Sequence, residues 1–306
     1  MDTGNANMEE FTFKNNSLKI LFWIVVLNAA ILAVFIPLGI GWIYFGLIVL
    51  VFTMLWSLGS LFFSKHYVKK NFDIIKIIDE NNLKTQKEKE IYDIVKSLSK
   101  KANLKAMPEV AIYKGPANAF TVGFNRNNSI IAISDELIEA MDNESLASVI
   151  GHEMGHILSS DSVIMSIMNA AIWGAIIIFI SIPAFIIKFI ITHDDEYHPV
   201  MILLTLLMEF IAVRIFLFFA GLLKDFYSRK REFKADLTGA KLVSFDAMSK
   251  ALKTLQNMED SLKLPTKQQP YAALMITSPK RFLDIFSDHP STDRRLKALS
   301  DYQTKL

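Results

Sequence analysis

The residues His152-Glu153-Met154-Gly155-His156 form a short pattern whose side chains could carry out metal-assisted hydrolysis. On a helix, residues four positions apart lie on the same face, so the two imidazoles can bind one tetrahedral metal ion. Glu153 is turned away from that pair and can accept a proton from a water molecule at the metal without binding the ion itself. Chance produces this pattern in about one chain in a hundred, so its surroundings must support the interpretation.

The surroundings favour a helix outside the lipid bilayer. Residues 146–151 continue the helical periodicity, and nothing breaks the helix before Ser159. Polar residues lie on both sides, so this helix is too polar and too short to be a membrane span, which disfavours a site within the bilayer. Because the helix leads directly into a long apolar run, we expect the metal within a few helical turns of the membrane surface.

A catalytic zinc site also needs a third protein ligand and an open position for water. The candidate ligand is Glu232, on a predicted helix. Asp236 lies one turn further on the same face and could hold a ring nitrogen of His152 or His156. The alternative is that Glu232 and Asp236 are ordinary exposed carboxylates on a charged helix.

The composition excludes several other kinds of site. The chain of 306 residues has no cysteine, so disulfides, thiolate zinc sites, iron–sulfur clusters and thiol nucleophiles are impossible. Its 33 Lys and Arg against 31 Asp and Glu give no indication of nucleic-acid binding. A hydrophobic fraction of 52% and a mean hydropathy of +0.31 are high for a soluble protein and indicate membrane spans.

Four apolar runs are long enough to cross a bilayer of roughly 30 Å. Runs 20–36 and 40–63 predict a transmembrane hairpin over 18–63, after an N-terminal segment, 1–17. A signal peptide is disfavoured because the second run follows so closely. Two further runs predict a second hairpin over 163–223, either spanning or only partly embedded and packed against the catalytic domain. They contain Asn169, Pro183, Glu209 and Arg214, of which the last two are predicted to pair with each other.

Charge near the ends of the spans predicts their orientation. Lysines and arginines precede the first run and follow the second and fourth, whereas the acidic loop 193–198 has none. Both termini and both large polar segments, 64–162 and 224–306, should therefore lie in the cytoplasm. We expect these two segments to form one catalytic domain that the second hairpin interrupts.

Local patterns predict the elements of that domain. Residues 72–102 have apolar residues at helical spacing, and residues 110–113 form a short β-type run. Residues 120–124 and 129–133 flank a turn and predict a β-hairpin. Ser134 is predicted to cap one helix, and Asp142 or Asn143 the next.

The remaining histidines give weaker signals. His289 lies on a turn before a predicted helix and could reach a substrate carbonyl, and Arg295 could stabilise charge there. Taken alone, this segment is better explained as a surface turn with a helix cap at residue 291 or 292. His66 is predicted at a membrane boundary, and a solvated loop is favoured over a metal site for His193 and His198.

Four motifs, in this order and with apolar spans in the corresponding positions, resemble the HtpX family of bacterial membrane zinc metalloproteases, which is related to the CAAX prenyl proteases. The motifs are Asn118-Ala119-Phe120-Thr121-Val122-Gly123, His152-Glu153-Met154-Gly155-His156, Arg231-Glu232-Phe233-Lys234-Ala235-Asp236, and His289-Pro290 with Arg295. The chain departs from the family pattern at Ser291, where a second proline is usual, and at Val122, where a smaller residue is common.

The resemblance implies a role for each motif. His152, His156 and Glu232 would bind one Zn²⁺ per chain, Glu153 would be the general base, and Asp236 would orient a ligand. His289 and Arg295 would position the substrate or stabilise the tetrahedral intermediate. The substrate would add as a β-strand to an edge strand formed by Asn118, Ala119, Phe120, Thr121, Val122 and Gly123.

The expected molecule is mainly α with a small β-sheet: a polytopic membrane protein with a cytoplasmic zincin-type (gluzincin-like) metalloprotease domain. The resemblance implies a stress-induced zinc endopeptidase of the cell membrane. Its partners would be the lipid bilayer and protein substrates, mainly misfolded or damaged membrane proteins and their exposed cytoplasmic segments.

Two other functions share these motifs. A CAAX-type prenyl-peptide processing protease would need a large intramembrane chamber, for which four short spans leave little room. A non-catalytic zinc-containing membrane scaffold is disfavoured by Glu153, because a structural zinc site needs no general base.

Overall fold

The computed structural model describes residues 40–71, 74–192, 199–259 and 290–305. The chain divides into two compact units, the first formed by residues 1–59 and 166–220 and the second by residues 60–165 and 221–306. His289, the predicted first span, and the loop containing His193 and His198 lie outside the described residues. Every described candidate for chemistry belongs to the second unit.

The described elements are mostly helices with one small sheet. In chain order they are α1 (Ile40–Asn71), β1 (Ile74–Ile78), α2 (Gln86–Lys101), β2 (Glu109–Tyr113), β3 (Ala119–Asn125), β4 (Asn128–Ser134), α3 (Asp135–Ala140), α4 (Asn143–Ser159), α5 (Asp161–Ile176), a π-helical turn (Ile177–Ser181), α6 (Ile182–Thr192), α7 (Pro199–Leu242), α8 (Phe245–Glu259) and α9 (Thr292–Gln303).

The sheet has the strand order β1-β2-β4-β3, with β2 and β4 parallel and the other two pairs antiparallel. The predicted hairpin of β3 and β4 is confirmed, and β3 lies at an edge of the sheet. Ile131 and Ile133, on one face of the sheet, belong to the same buried apolar cluster as Ile150 and Met154 of α4. The helix with the H-E-x-x-H pattern is therefore fixed against the sheet by a continuous apolar core.

The single helix predicted over 72–102 is wrong in its first part. Ile74–Ile78 form strand β1 on β2, and the helix begins only at Gln86. Thr85 and Glu88 form a capping box, which sets this start by satisfying the backbone N–H groups of the first turn. The run of four isoleucines around Lys76 fits a strand, because branched side chains favour extended backbone.

Two described helices are long and apolar enough to cross a membrane, namely Asp161–Lys188 and Pro199–Leu242. They contain the third and fourth predicted runs. At 44 residues, α7 is about 66 Å long, roughly twice the thickness of a hydrocarbon core. Its second half thus extends well beyond any membrane-spanning part and carries Glu232 and Asp236.

The charged side chains in these helices do not form the predicted pair of Glu209 and Arg214. Glu209 forms an ion pair with Lys188, with 2.9 Å between Oε2 and Nζ, whereas Arg214 lies over the ring of Phe210. On a helix, Glu209 and Arg214 are five residues apart and therefore do not face each other, which explains the error. Pro183 follows the π-helical turn, where its missing N–H interrupts the normal hydrogen-bond pattern.

Helix α4 begins as predicted, with Asp142 as its N-cap. The Asp142 carboxylate accepts a hydrogen bond from the backbone N–H of Ser145 at 2.8 Å. It also forms an ion pair with Lys250 on α8. The Lys250 hydrogen bond, with that of Ser145, lowers the pKa of Asp142 to about 2. Because the folded-state pKa lies below the unfolded value of about 3.9, this stabilisation is present above pH 4 and is lost as the pH falls towards 2.

We expect Asp142→Ala to lower the free energy of unfolding by about 1 kcal/mol, because it removes the N-cap of α4. Asp142→Asn keeps an acceptor for the backbone N–H and should lose clearly less. Thermal or denaturant unfolding of the purified chain at neutral pH measures both variants. An equal loss of stability in the two variants would mean that Asp142 stabilises the protein through its ion pair with Lys250 and not through the helix cap.

Candidate metal centre

A close backbone contact between α4 and α7 brings the two halves of the candidate site together. A Cβ atom on Gly155 would lie 2.8 Å from the Cα atom of Ala235, and one on Gly239 would lie 2.8 Å from the carbonyl oxygen of Ser148. Gly151 faces Gly239 in the same way at 3.0 Å. These small residues, spaced one turn apart on each helix, allow a separation that larger side chains would prevent.

Three potential ligand side chains meet where these helices touch. The Nε2 atoms of His152 and His156 are 3.2 Å apart. The Oε2 atom of Glu232 lies 3.6 Å from Nε2 of His152, and its Oε1 atom lies 3.5 Å from Nε2 of His156. Donor atoms bound at about 2.0–2.1 Å around a tetrahedral zinc ion lie about 3.3 Å from one another. The separations and the nitrogen–oxygen donor set therefore fit one zinc ion, and all three side chains belong to the one described cluster that could hold a metal.

A carboxylate oxygen lies beside the Nδ1 atom of each imidazole. The Nδ1 atom of His152 lies 2.9 Å from Asp236, as predicted for that residue, and the Nδ1 atom of His156 lies 2.7 Å from Asp161. When each Nδ1 donates its hydrogen, each Nε2 presents a lone pair towards the other ring and towards Glu232. Lone pairs and a carboxylate directed at one buried point require a cation there.

Without a metal, a proton is the cation available to this cluster. Burial lowers the pKa of His156, but the hydrogen bond to Asp161 and the charges of Glu232, Asp161 and Glu153 outweigh burial and raise the pKa to about 9. A metal ion binding here at neutral pH therefore displaces a proton from His156.

The structure places Arg295 differently from the predicted contact with substrate. Its side chain is 2% exposed and donates to both carboxylate oxygens of Asp236: Nε to Oδ2 at 2.8 Å, and Nη2 at 2.5 Å to Oδ1, the oxygen that also lies beside His152 Nδ1. Burial would raise the pKa of Asp236, but the adjacent charge of Arg295 lowers it. Arg295 thus keeps Asp236 ionised as the acceptor for His152, and a buried guanidinium needs such a partner.

Glu153 lies between the two histidines in sequence and is 3% exposed. Within the described part of the chain, its carboxylate makes no hydrogen bond, in contrast to Asp161 and Asp236. Its charge acts on His156, as the raised pKa of that residue reflects. A carboxylate at this position is available to accept a proton from water beside the ligands.

Residues Ala119 to Gly123 form the start of the edge strand β3, and Asn118 directly precedes it. Ser134 donates its backbone N–H to the carbonyl oxygen of Asn118 at 2.9 Å, which identifies Asn118, Phe120 and Val122 as the positions bonded to β4. The intervening positions, Ala119 and Thr121, direct their backbone groups away from β4, towards the open edge. Phe120 and Val122 bury their side chains in the core.

A narrow cleft connects this edge strand with the candidate metal ligands. Thr121 and Gly123 of β3 line one side, and His156, Ser160 and Asp161 line the other. The open backbone position at Thr121 therefore lies near His156 within the same unit.

Asp161 is the residue of this site that the sequence did not identify. It stands five positions after His156, beyond the end of α4, and is reached through Ser160 in a left-handed conformation with φ of 52°. A serine at that turn gives no signal for such a conformation, which glycine or asparagine would have given. The only sequence signal was an acidic residue at the start of an apolar run.

Metal-dependent hydrolysis of a peptide requires nitrogen and oxygen donors around one point, with a further carboxylate free to act as the base. The geometry described above meets these requirements and places the molecule among the metallopeptidases. The chain belongs to peptidase family M48, whose model matches residues 85–303.

Individual relatives agree with this assignment. Protease HtpX homolog of Bacillus subtilis is 32% identical over 248 residues, which cover 79% of this chain and 80% of the relative. Protease HtpX homolog of Methylacidiphilum infernorum is 33% identical over 244 residues, covering 78% of this chain and 80% of the relative. The chain is therefore a metallopeptidase similar to the HtpX proteases.

The fold is also similar to that of a solved structure, Ste24p of S. mikatae. The two structures superpose with a TM-score of 0.57 at 16% sequence identity, and the match covers 97% of this chain and 67% of that chain. The likeness extends over nearly the whole molecule, whereas about one third of Ste24p has no counterpart here.

The contact between α4 and α7 leads to a testable prediction. We expect Gly155→Ala to weaken zinc binding at least tenfold, because the added methyl group meets the backbone of Ala235 and displaces Glu232 from the histidines. Gly221→Ala, in helix α7, is the control for a glycine-to-alanine change, since no atom lies within 4 Å of its added Cβ. Alanine generally stabilises a helix relative to glycine by up to about 1 kcal/mol, so this control should be as stable as wild type or more so.

Chelator competition with zinc, alongside thermal unfolding, measures both variants. Unchanged zinc affinity in Gly155→Ala would mean that the helix contact does not set the ligand geometry.

Proposed function

We propose that the chain is a zinc-dependent endopeptidase of the cytoplasmic membrane that cleaves misfolded or damaged membrane proteins and their exposed cytoplasmic segments. One Zn²⁺ per chain is held by His152, His156 and Glu232. The observation that carries the proposal is the convergence of two imidazole nitrogens and a carboxylate at 3.2–3.6 Å, with Glu153 beside them.

A zinc ion bound by these residues would supply Lewis-acid activation of water and of the scissile carbonyl. The side chains of the protein perform the proton transfers. Glu153 takes a proton on its carboxylate from the attacking water and passes it to the nitrogen of the leaving amine. The Glu153 carboxylate is buried, and no donor among the described residues is hydrogen-bonded to it. Its oxygens are therefore available to accept the proton from water.

Asp236 and Arg295 hold the His152 side chain of this centre in place. Asp236 accepts the Nδ1 hydrogen of His152, and Arg295 keeps the Asp236 carboxylate charged and immobile. This arrangement fixes the His152 tautomer that presents Nε2 to the metal. His289 remains a candidate for contacting the substrate, on the strength of the family resemblance alone.

Strand β3 supplies a place for the substrate chain. An extended peptide added to the open edge would pair with the outward backbone groups of Ala119 and Thr121, beside the cleft that His156 lines. Recognition of this type depends on backbone groups, so it suits substrates that are unfolded and varied in sequence.

The membrane location is supported by two helices long and apolar enough to cross a bilayer. Apolar side chains on the first half of α7 are exposed, including Leu203, Leu207 and Phe210, which is favourable only next to lipid or a protein partner. The charge bias predicted from sequence would place the catalytic unit and both termini in the cytoplasm.

Replacing the base tests this proposal. We expect Glu153→Gln to bind about one zinc ion per chain, as wild type does, and to lose at least a hundredfold in cleavage rate of an unfolded model protein, because glutamine cannot accept the proton. Purified full-length protein in detergent, loaded with zinc after chelation, provides both measurements.

The outcomes separate the alternative functions. Zinc binding by both proteins with cleavage by neither, on unfolded and membrane substrates, would favour the non-catalytic scaffold. Cleavage by wild type of prenylated peptides only would favour the prenyl-peptide protease. Equal cleavage by wild type and Glu153→Gln would contradict the assigned site.

The edge strand gives a second prediction. Thr121→Pro removes an outward N–H without removing a bond to β4, so we expect kcat/KM for unfolded substrates to fall about fivefold, the effect of one hydrogen bond of about 1 kcal/mol. Thr121→Ala keeps the N–H and should remain close to wild type. Steady-state cleavage kinetics test this, and equal kinetics for both variants would contradict strand addition at this edge.

A further inference from the structure

The partner of His156 is a buried acid with no assigned role. Asp161 is 4% exposed, and its Oδ2 atom lies 2.7 Å from His156 Nδ1. This separation is shorter than the 2.9 Å between Asp236 and His152. Short contacts of this kind are typical of hydrogen bonds in which one partner is charged.

The chain brings Asp161 to His156 by a single-residue turn. Helix α4 ends at Ser159, and the N–H of Ser160 donates to the carbonyl groups of His156 and Ile157. Ser160 has a left-handed conformation with φ of 52°, which ends α4 and changes the direction of the chain. Asp161 then begins α5 directly after the last turn of α4. The orientation of the carboxylate thus follows from backbone geometry and not from a flexible loop.

An arginine stands behind Asp161, as Arg295 stands behind Asp236. The Nη1 atom of Arg231 lies 3.9 Å from Asp161 Oδ2, and its Nη2 atom donates to Ser228 at 2.9 Å. Arg231 directly precedes Glu232 in the chain. Both histidines are therefore backed by a carboxylate with a guanidinium near it, although the second arginine is more distant.

We propose that Asp161 is a positioning residue for the metal ligand His156, equivalent to Asp236 for His152. By accepting the Nδ1 hydrogen it fixes the tautomer and the ring angle that direct Nε2 to the ion. The inference rests on the proposed zinc centre. It adds that the first residue of α5, the start of a candidate membrane helix, helps to set the affinity of that centre.

Zinc affinity tests the inference without relying on proteolysis. We expect Asp161→Ala to bind zinc 10- to 100-fold more weakly than wild type in chelator competition on the full-length protein. Asp161→Asn keeps an oxygen acceptor for Nδ1 of His156 but loses the charge. Its zinc affinity should therefore lie between those of wild type and Asp161→Ala. Asp246→Ala removes an exposed acid from the first turn of α8 and controls for loss of a charge at a helix start. It should match wild type within twofold.

Cobalt gives a second readout, one that helix stability alone would not change. In Co²⁺-loaded protein we expect Asp161→Ala to shift or weaken the visible absorption bands relative to Asp246→Ala, because the His156 ring is free to turn. If Asp161→Ala fails to fold by circular dichroism, Asp161→Asn decides the question through its zinc affinity.

If the folded Asp161 variants have the same zinc affinity and cobalt bands as Asp246→Ala, the proposed role of Asp161 is overturned. The proposed zinc centre would not be affected by that result. Absence of stoichiometric zinc in wild type would overturn the proposed function together with the role of Asp161. Graded zinc affinity, highest in wild type and lowest in Asp161→Ala, is the expected result.

Discussion

The site depends on how closely the backbones of α4 and α7 approach each other. Gly155 rests against Ala235, and Gly239 against Ser148, with no room for a further methyl group at either glycine. This contact lets one helix supply both histidines and the other supply Glu232 within the span of a single ion. Glycine normally weakens a helix, so its presence here reflects a geometric need that outweighs helix propensity.

The same contact creates an electrostatic problem that a cation resolves. Two imidazole nitrogens and a carboxylate converge in a buried space, and Asp236 and Asp161 behind the rings add further negative charge. Arg295 offsets Asp236, and in the metal-free protein a proton on His156 offsets part of the remainder. A metal ion binding there would replace that proton, so the arrangement that disfavours an empty centre would favour a metal.

Sequence reasoning identified residues whose chemistry has a regular spacing. The helical interval between His152 and His156 and the turn between β3 and β4 could be read directly, and Asp142 was recognised as a cap by its residue type. Strand β1 was missed because its isoleucines also fit a helical period, and only pairing with β2 decides between the two. Asp161 was missed because a left-handed serine positions it, and the ion pair of Arg295 was not foreseen because its partner, Asp236, lies on a distant helix.

Anomalous diffraction at the zinc edge, from crystals of the full-length protein, would locate the metal ion. We expect one anomalous peak per chain, about 2.0–2.2 Å from Nε2 of His152, Nε2 of His156 and a carboxylate oxygen of Glu232, with the fourth position open to solvent. A peak bound by other residues, or a fourth protein ligand that closes the site, would contradict this expectation.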